Sequence, residues 1–192
     1  LRLAEVARQR FGVTVREIDV RHIEQDLPYI KSIYRQAWQK NWGAVPITDE
    51  EMGHLADALV QIADQRLTYL AFVGEQAVGV FVAVPDFCQV ALHLGGRLLP
   101  LAWINYLRYR RRIDGFRVLI MGVLEEYRLK GVEALFYLEA LKQAKTMGMK
   151  WAEMSWILED NYRVRRGIEL MGGRIYRTYR LYDVPTARQP AA

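Results

Sequence analysis

The 192-residue sequence has few of the residue types that mark disulfide-bonded and metal-binding proteins. Its one cysteine, Cys88, excludes an intrachain disulfide and a paired-cysteine metal site. The three histidines, His22, His54 and His93, do not have the spacing of metal ligands. We therefore expect no metal site, and a reducing compartment, with the cytoplasm as the default.

Long hydrophobic runs are also lacking. The most apolar stretch, 98–107, is about half the ~20 residues needed to cross a bilayer, so we expect no stable membrane insertion. The first residues have neither the apolar region nor the cleavage site of a signal peptide. Because the chain opens on Leu1 rather than methionine, an upstream segment or domain is expected.

What remains is the composition of an ordinary globular protein, with 52% hydrophobic and 26% charged residues. This length predicts one main domain. The net charge of +5 favours anionic partners and leaves nucleic acid, acidic lipid and a phosphorylated small molecule as alternatives. Nucleic acid is not expected as a partner, since the arginine runs come with no stacking motif or helix-turn-helix pattern.

Hydrophobic periodicity predicts alternating helices and strands. The first half should contain a helix over 1–12 that ends a probable upstream segment, a strand over 13–20, a helix over 26–42, a helix opened by the capping box Thr48 to Glu51, and a hairpin of strands 67–73 and 77–84.

The strand–helix–strand pattern in the second half predicts a βαβ unit, which implies parallel strands. Its segments are an irregular insertion over 86–112, a strand over 116–123, a helix over 132–147, a strand over 151–157, a helix over 161–171, a last strand over 174–182 and a tail over 184–192. Residues 98–112 combine an apolar body with a basic end. Core packing is the first interpretation of this segment, a lid over a cleft is the second, and membrane contact is the third.

The turn between the buried strand and the helix of this unit runs from Val123 to Ala134 and is basic. Free N–H groups at a helix start suit a pyrophosphate, and Gly131 would let a phosphate approach closely. Arg128 and Lys130 add positive charge. Alternatively, Gly131 is an ordinary turn glycine and the cations form a solvated rim.

This turn resembles the acyl-CoA loop of the GNAT superfamily of N-acetyltransferases. Five positions match its pattern, namely Val123, Tyr127, Arg128, Gly131 and Val132. A later stretch over 155–161 ending in Asn161, followed by Val164, Ile168 and Gly172, is similar to the family's second motif. The sequence departs from the pattern at Glu125, Leu129 and Glu133, and Ile168 stands where the family often has a tyrosine acid.

The resemblance implies an α/β (α+β) domain over 13–183, with a mixed central sheet and helices on both faces. The sheet should splay after Val123 to admit the pantetheine arm of acetyl-CoA or another acyl-CoA. The residues that the resemblance assigns to acyl-CoA binding are Val123, Arg128, Leu129, Lys130, Gly131, Val132, Glu133, Ala134 and Asn161.

The implied activity is an acyl-CoA-dependent N-acyltransferase, in the simplest case an N-acetyltransferase, in which a small-molecule amine attacks the thioester directly. Glu153 and Glu159 are the candidate general bases, with water as the alternative. A catalytically degenerate ligand-binding or regulatory domain is the competing hypothesis, and a homo-oligomer is a possible assembly. The sequence further predicts that Gly131→Val blocks acyl-CoA binding and leaves the fold intact.

Overall fold

Five strands form one mixed sheet in a computed structural model that describes residues 2–39, 45–94, 102–154 and 156–182. The strands are β1 (Val13–Glu17), β2 (Thr68–Val73), β3 (Gln76–Pro85), β4 (Gly115–Val123) and β5 (Trp151–Met154). Their order in the sheet is the order in the chain. The first four are antiparallel neighbours, and β5 runs parallel to β4.

Seven α-helices are defined within the described residues. They are α1 (Arg2–Phe11), α2 (Ile23–Trp38), α3 (Asp49–Val60), α4 (Cys88–Ala91), α5 (Ala102–Tyr109), α6 (Val132–Thr146) and α7 (Tyr162–Leu170). The chain divides into two units, Leu1–Trp156 and Ile157–Ala192, so the sheet and the first six helices belong to one unit and α7 to the other. None of the described helices is long and apolar enough to cross a bilayer.

Each face of the sheet has its own core. On one face α1 and α6 pack against the strands, with Ala7, Phe81, Leu135 and Phe136 fully buried. On the other face α2 buries Ile33 against residues such as Leu70 and Val80. The strands alternate between these two cores, as a sheet covered on both sides requires. The predicted mixed sheet with helices on both faces is thus confirmed.

The predicted capping box is also confirmed. Thr48 Oγ1 accepts from the N–H of Glu51 at 3.2 Å, and Glu51 Oε2 accepts from the N–H of Thr48 at 2.9 Å. These bonds satisfy two backbone donors at the start of α3. The predicted insertion contains α4 and α5, while residues 95–101 lie outside the described part of the chain.

The predicted last strand over 174–182 is wrong. These residues form no strand, and large side chains among them, including Ile175, Tyr179 and Leu181, are exposed. A strand needs a neighbour for its backbone hydrogen bonds, and the described part of the second unit offers none.

The strand predicted over 151–157 ends earlier, at Met154. Trp156 has a left-handed φ of 50°, which is incompatible with an extended strand.

The ion pair between Arg16 and Asp26 joins α2 to β1. Asp26 is only 3% exposed, and its two carboxylate oxygens accept from Arg16 Nη1 at 2.9 Å and Nη2 at 2.5 Å. The N–H of Asp19 donates to the same carboxylate at 3.2 Å. The hydrogen bond with Asp26 and the charge of Asp26 raise the pKa of Arg16.

We expect Asp26→Asn to lower the free energy of unfolding by about 2 kcal/mol, because a buried group loses its charge-assisted hydrogen bonds. Urea denaturation measures the change. The control is Glu139→Gln, which removes ion pairs with the half-exposed Arg8 and Lys142 and should cost roughly 1 kcal/mol or less. Equal losses in the two variants would contradict an anchoring role for Asp26.

Candidate functional site

The sheet is paired at the start of β4 and β5 and open where β4 ends. The register of the parallel pair runs from Gly115 opposite Trp151 to Val118 opposite Met154 and stops there. β4 continues for five more residues to Val123, still paired with β3 on its other side. Within the described residues, the edge of 119–123 that faces away from β3 therefore has no strand partner. The splay that the resemblance implies would begin here.

A β-bulge at Leu119 coincides with the start of the opening. Val82 pairs with Ile120, whereas the next residue of β3, Ala83, pairs with Val118, so Leu119 is the extra residue of β4. The bulge shifts the alternation of β4. Val118 before it and Met121 after it both face the core beneath α6. Bulges re-aim backbone groups and are frequent beside active sites, but the sequence has no glycine here to mark one.

Polar contacts clamp the paired end of these two strands. The N–H of Lys150 donates to the carbonyl of Asp114 at 2.6 Å, and the Lys150 ammonium contacts the Asp114 carboxylate at 3.0 Å. The indole N–H of Trp151 donates to the same carboxylate at 3.3 Å. The hydrogen bond from Lys150, followed by its charge, lowers the pKa of Asp114 despite opposing desolvation.

Glu153, the first candidate base, lies opposite Arg117 and pairs with it. Arg117 contacts Glu153 at 3.0 Å and Asp86 at 2.7 Å, and Asp86 is only 4% exposed. Partial burial lowers the pKa of Arg117, but the hydrogen bond and charge of Asp86 and the charge of Glu153 outweigh it, so the pKa is raised. The catalytic role of Glu153 stays a prediction, and this contact gives it a second role as a clamp.

The turn after β4 contains two residues with left-handed backbone. A 3₁₀ turn over Glu125–Tyr127 leads to Leu129, with φ 68°, and then to Gly131, with φ 83°, which caps α6. No side chain caps this helix start, and the N–H of Leu135 is bonded to the carbonyl of Gly131 at 3.1 Å. The N–H groups of the first turn, from Val132 to Ala134, precede that bond and have no acceptor within the helix.

The immediate environment of Gly131 corrects one expectation. A Cβ on Gly131 would lie 2.6 Å from the carbonyl oxygen of Leu3 and 3.2 Å from the Cβ of Ala7, both in α1. Gly131→Val would therefore strain the backbone and displace α1, so the expectation that this variant leaves the fold intact is wrong. The glycine serves the packing of α1 on the turn, in addition to any ligand.

The two cations of the turn differ in their contacts. The Arg128 guanidinium donates to the carbonyls of Val123 and Ala37, each at 3.2 Å, and so ties the end of β4 to the end of α2. The Lys130 ammonium lies 4.4 Å from the ring centroid of Tyr127 and 5.7 Å from that of Phe11. The Arg128 guanidinium is thus hydrogen-bonded within the protein, whereas the Lys130 ammonium contacts two aromatic rings. A cation–π contact stabilises the ammonium but leaves its positive charge in place.

The remaining turn residues predicted to bind acyl-CoA occupy distinct positions. Val123 and Val132 are buried, at 4% and 0% exposure, and hold the turn in the core. Glu133 and Ala134 are partly buried in the first turn of α6. Burial, and secondarily the charge of Glu133, raise the pKa of Tyr137 one turn further along the helix. The Glu133 carboxylate is therefore near enough to disfavour the ionised form of Tyr137.

Two predicted residues lie in the second unit. Asn161 caps α7, since its Oδ1 accepts from the N–H of Val164 at 3.4 Å. Glu159 forms an exposed ion pair with Arg180 at 3.0 Å. Their roles in pantetheine binding and proton transfer stay predictions. No group of three or more potential metal ligands occurs in the described part of the chain.

An apolar cavity of about 50 Å³ lies within the first unit, between α2, α3 and the sheet. Its lining includes Ile120, the residue that follows the bulge. Sequence reasoning found neither the bulge nor this cavity, because both depend on how separate segments meet.

Solved structures of acetyltransferases have a similar fold. An aminoglycoside acetyltransferase, AAC(6')-Iy, bound to a CoA-containing bisubstrate analogue, superposes with a TM-score of 0.58 over 90% of this chain and 98% of its own, at 12% identity. The chain has the GNAT fold. A second aminoglycoside 6'-N-acetyltransferase, from Acinetobacter baumannii, gives a TM-score of 0.57 at 16% identity, with 92% of this chain and all of its own covered.

Two curated proteins are similar in sequence. The bacterial ceramide synthase of Caulobacter vibrioides is 31% identical over 94% of this chain and 50% of its own length. Protein YghO of Escherichia coli is 32% identical over 91% of this chain and 46% of its own. The chain thus spans about half the length of these relatives. No family model matches the sequence.

The left-handed Leu129 generates a stability prediction. Its side chain is 80% exposed, so it contributes little packing, while its φ of 68° costs about 1–2 kcal/mol for a residue with a Cβ. We expect Leu129→Gly to raise the free energy of unfolding by about 1 kcal/mol, after allowance for the greater entropy of glycine in the unfolded chain. Leu129→Ala keeps the Cβ and should give no such gain in urea denaturation. Identical stabilities for the two variants would contradict backbone strain at this position.

Proposed function

We propose that this GNAT-fold chain is an acyl-CoA-dependent N-acyltransferase. The observation that carries the proposal is the edge of β4 over 119–123, which has no strand partner among the described residues and leads into a start of α6 without a side-chain cap. An extended amide-containing arm can pair with that edge as an added strand would. Its pyrophosphate would then reach the N–H groups of Val132 to Ala134, where the helix dipole favours negative charge.

The proposed reaction needs no covalent intermediate on the protein. The nitrogen lone pair of the amine attacks the thioester carbonyl, the C–S bond breaks, and the thiolate leaves and takes up a proton as CoA. A base removes the proton that the amine loses, with Glu153, Glu159 or water as candidates. A backbone N–H re-aimed by the bulge at Leu119 is our candidate to stabilise the carbonyl oxygen as its charge grows.

Lys130 is the side chain that we propose for the phosphates. Its ammonium is not paired with a carboxylate in any described ion pair, and it stands at the helix start beside Gly131. Arg128 would act indirectly, by holding the turn to Val123 and Ala37. Glu133 opposes the phosphates electrostatically, because like charges repel.

For the acceptor we propose a primary amine with an apolar body. The support is the relative named as a ceramide synthase, since a ceramide is the N-acyl amide of a long-chain amine. The acceptor and the acyl chain that we propose are properties of the whole protein. This chain covers about half the length of the two relatives.

The first test is release of free thiol from acetyl-CoA and from dodecanoyl-CoA in the presence of an alkylamine, with thermal unfolding as the binding measurement. A donor at ~100 times its Kd should stabilise the fold by about 2.7 kcal/mol. Binding with amine-dependent thiol release supports the transferase. Binding without turnover over a range of amines would favour the degenerate ligand-binding domain, which Glu133 and Ile168 also suggest.

Lys130→Ala tests the proposed phosphate contact. We expect it to weaken CoA binding about tenfold, since a hydrogen bond to a charged group contributes roughly 1.5 kcal/mol, and to weaken it less at high salt. Binding of pantetheine, which lacks the phosphates, should not change. The control Lys130→Arg should retain most of the affinity for CoA. An equal loss for CoA and pantetheine would show that Lys130 supports the fold of the turn rather than the phosphates.

A further inference from the structure

The apolar cavity between α2, α3 and the sheet has a composition that selects one kind of ligand. Its lining combines side chains from the two helices and three strands, among them Leu27, Met52, Leu59, Val82 and Ile120. The one hydroxyl in the lining is that of Thr68, and it already donates to the carbonyl of Gln65 at 3.1 Å. A polar group placed here would lose its water and find no partner, which is costly.

The cavity also lies beside the proposed point of reaction. Ile120 follows the bulge residue Leu119, at the place where β4 and β5 part. It belongs to the core on the α2 face, together with Ile18, Ile30 and Val82. A ligand that occupies the cavity therefore contacts Ile120 of β4, one residue from the bulge.

The helix α3 forms the less tightly packed wall. Met52 is the residue of α3 that is buried, whereas Leu55 on the cavity lining is 37% exposed. A volume of about 50 Å³ holds roughly three or four water-sized groups. A longer chain requires α3 to move outward, which costs little where few side chains are fully buried.

We propose that this cavity binds the hydrocarbon chain of a substrate, because its almost wholly apolar lining between α2 and α3 includes Ile120, beside the opening of the sheet. This inference rests on the proposed acyltransferase function and specifies its substrate class. The chain could come from the acyl donor or from the amine acceptor, and the two sources are distinguished by experiment. A highly hydroxylated, polycationic acceptor such as an aminoglycoside does not fit this lining.

The experiment measures affinity against chain length in two series by isothermal titration calorimetry. One series is acetyl-, hexanoyl- and octanoyl-CoA, and the other is butyl-, hexyl- and octylamine. We expect affinity to rise about fourfold per methylene in the series whose chain enters the cavity, corresponding to about 0.8 kcal/mol for each buried CH₂. The series that shows this rise identifies the source.

Ala56→Leu tests the location, because Ala56 lines the cavity and three added carbons would fill much of it. We expect it to lower the affinity for the longest ligand at least about tenfold and to leave the affinity for acetyl-CoA unaffected. The matched control is Ala58→Leu, on the exposed side of the same helix, which should change neither. If Ala56→Leu impairs folding, Leu59→Ala replaces it, and the enlarged cavity should shift the preference toward longer chains.

Length-independent binding in both series, or a length dependence that Ala56→Leu and Leu59→Ala leave unchanged, would overturn the inference. If acetyl-CoA still binds and is turned over in that case, the proposed function stands and only the cavity assignment fails. If no CoA derivative binds but alkylamines bind with the expected length dependence, the cavity assignment stands and the proposed function fails.

Discussion

The parting of β4 from β5 after four residue pairs is the constraint on which the candidate site depends. Contacts of Asp114 with Lys150 and Trp151 fix the start of the pair, and the Arg117–Glu153 ion pair holds it one position before the register ends. Beyond that position the bulge at Leu119 turns β4, and Trp156 leaves extended geometry. A sheet that was paired throughout would have no unpaired edge to offer a ligand.

The turn that follows β4 maintains this geometry at some cost in backbone energy. Leu129 and Gly131 both adopt left-handed φ, and α1 covers the position where a Cβ of Gly131 would lie. Arg128 joins the end of β4 to α2 through two carbonyls, so the opening, the turn and the α2 side of the cavity belong to one connected structure. Strain of this kind persists when surrounding contacts determine the conformation, and it concentrates at functional sites.

Local signals in the sequence predicted much of this fold. The capping box at Thr48 and Glu51, the hairpin and the βαβ unit each depend on residues near one another in the chain, and each is present. The failures involve distant partners. A last strand is predicted over 174–182, but no described neighbour pairs with it. The partners of Arg128 and Glu153 follow from register and packing, and the bulge at Leu119 carries no glycine signal.

The central claim, that the opening of β4 and the start of α6 together hold an acyl-CoA, is tested most directly by amide hydrogen exchange with and without CoA. The account predicts that added CoA slows exchange in two separate segments, 119–123 and 129–134, since one ligand would cover both. Bound CoA that protects neither segment, or that protects only residues elsewhere in the chain, would contradict it.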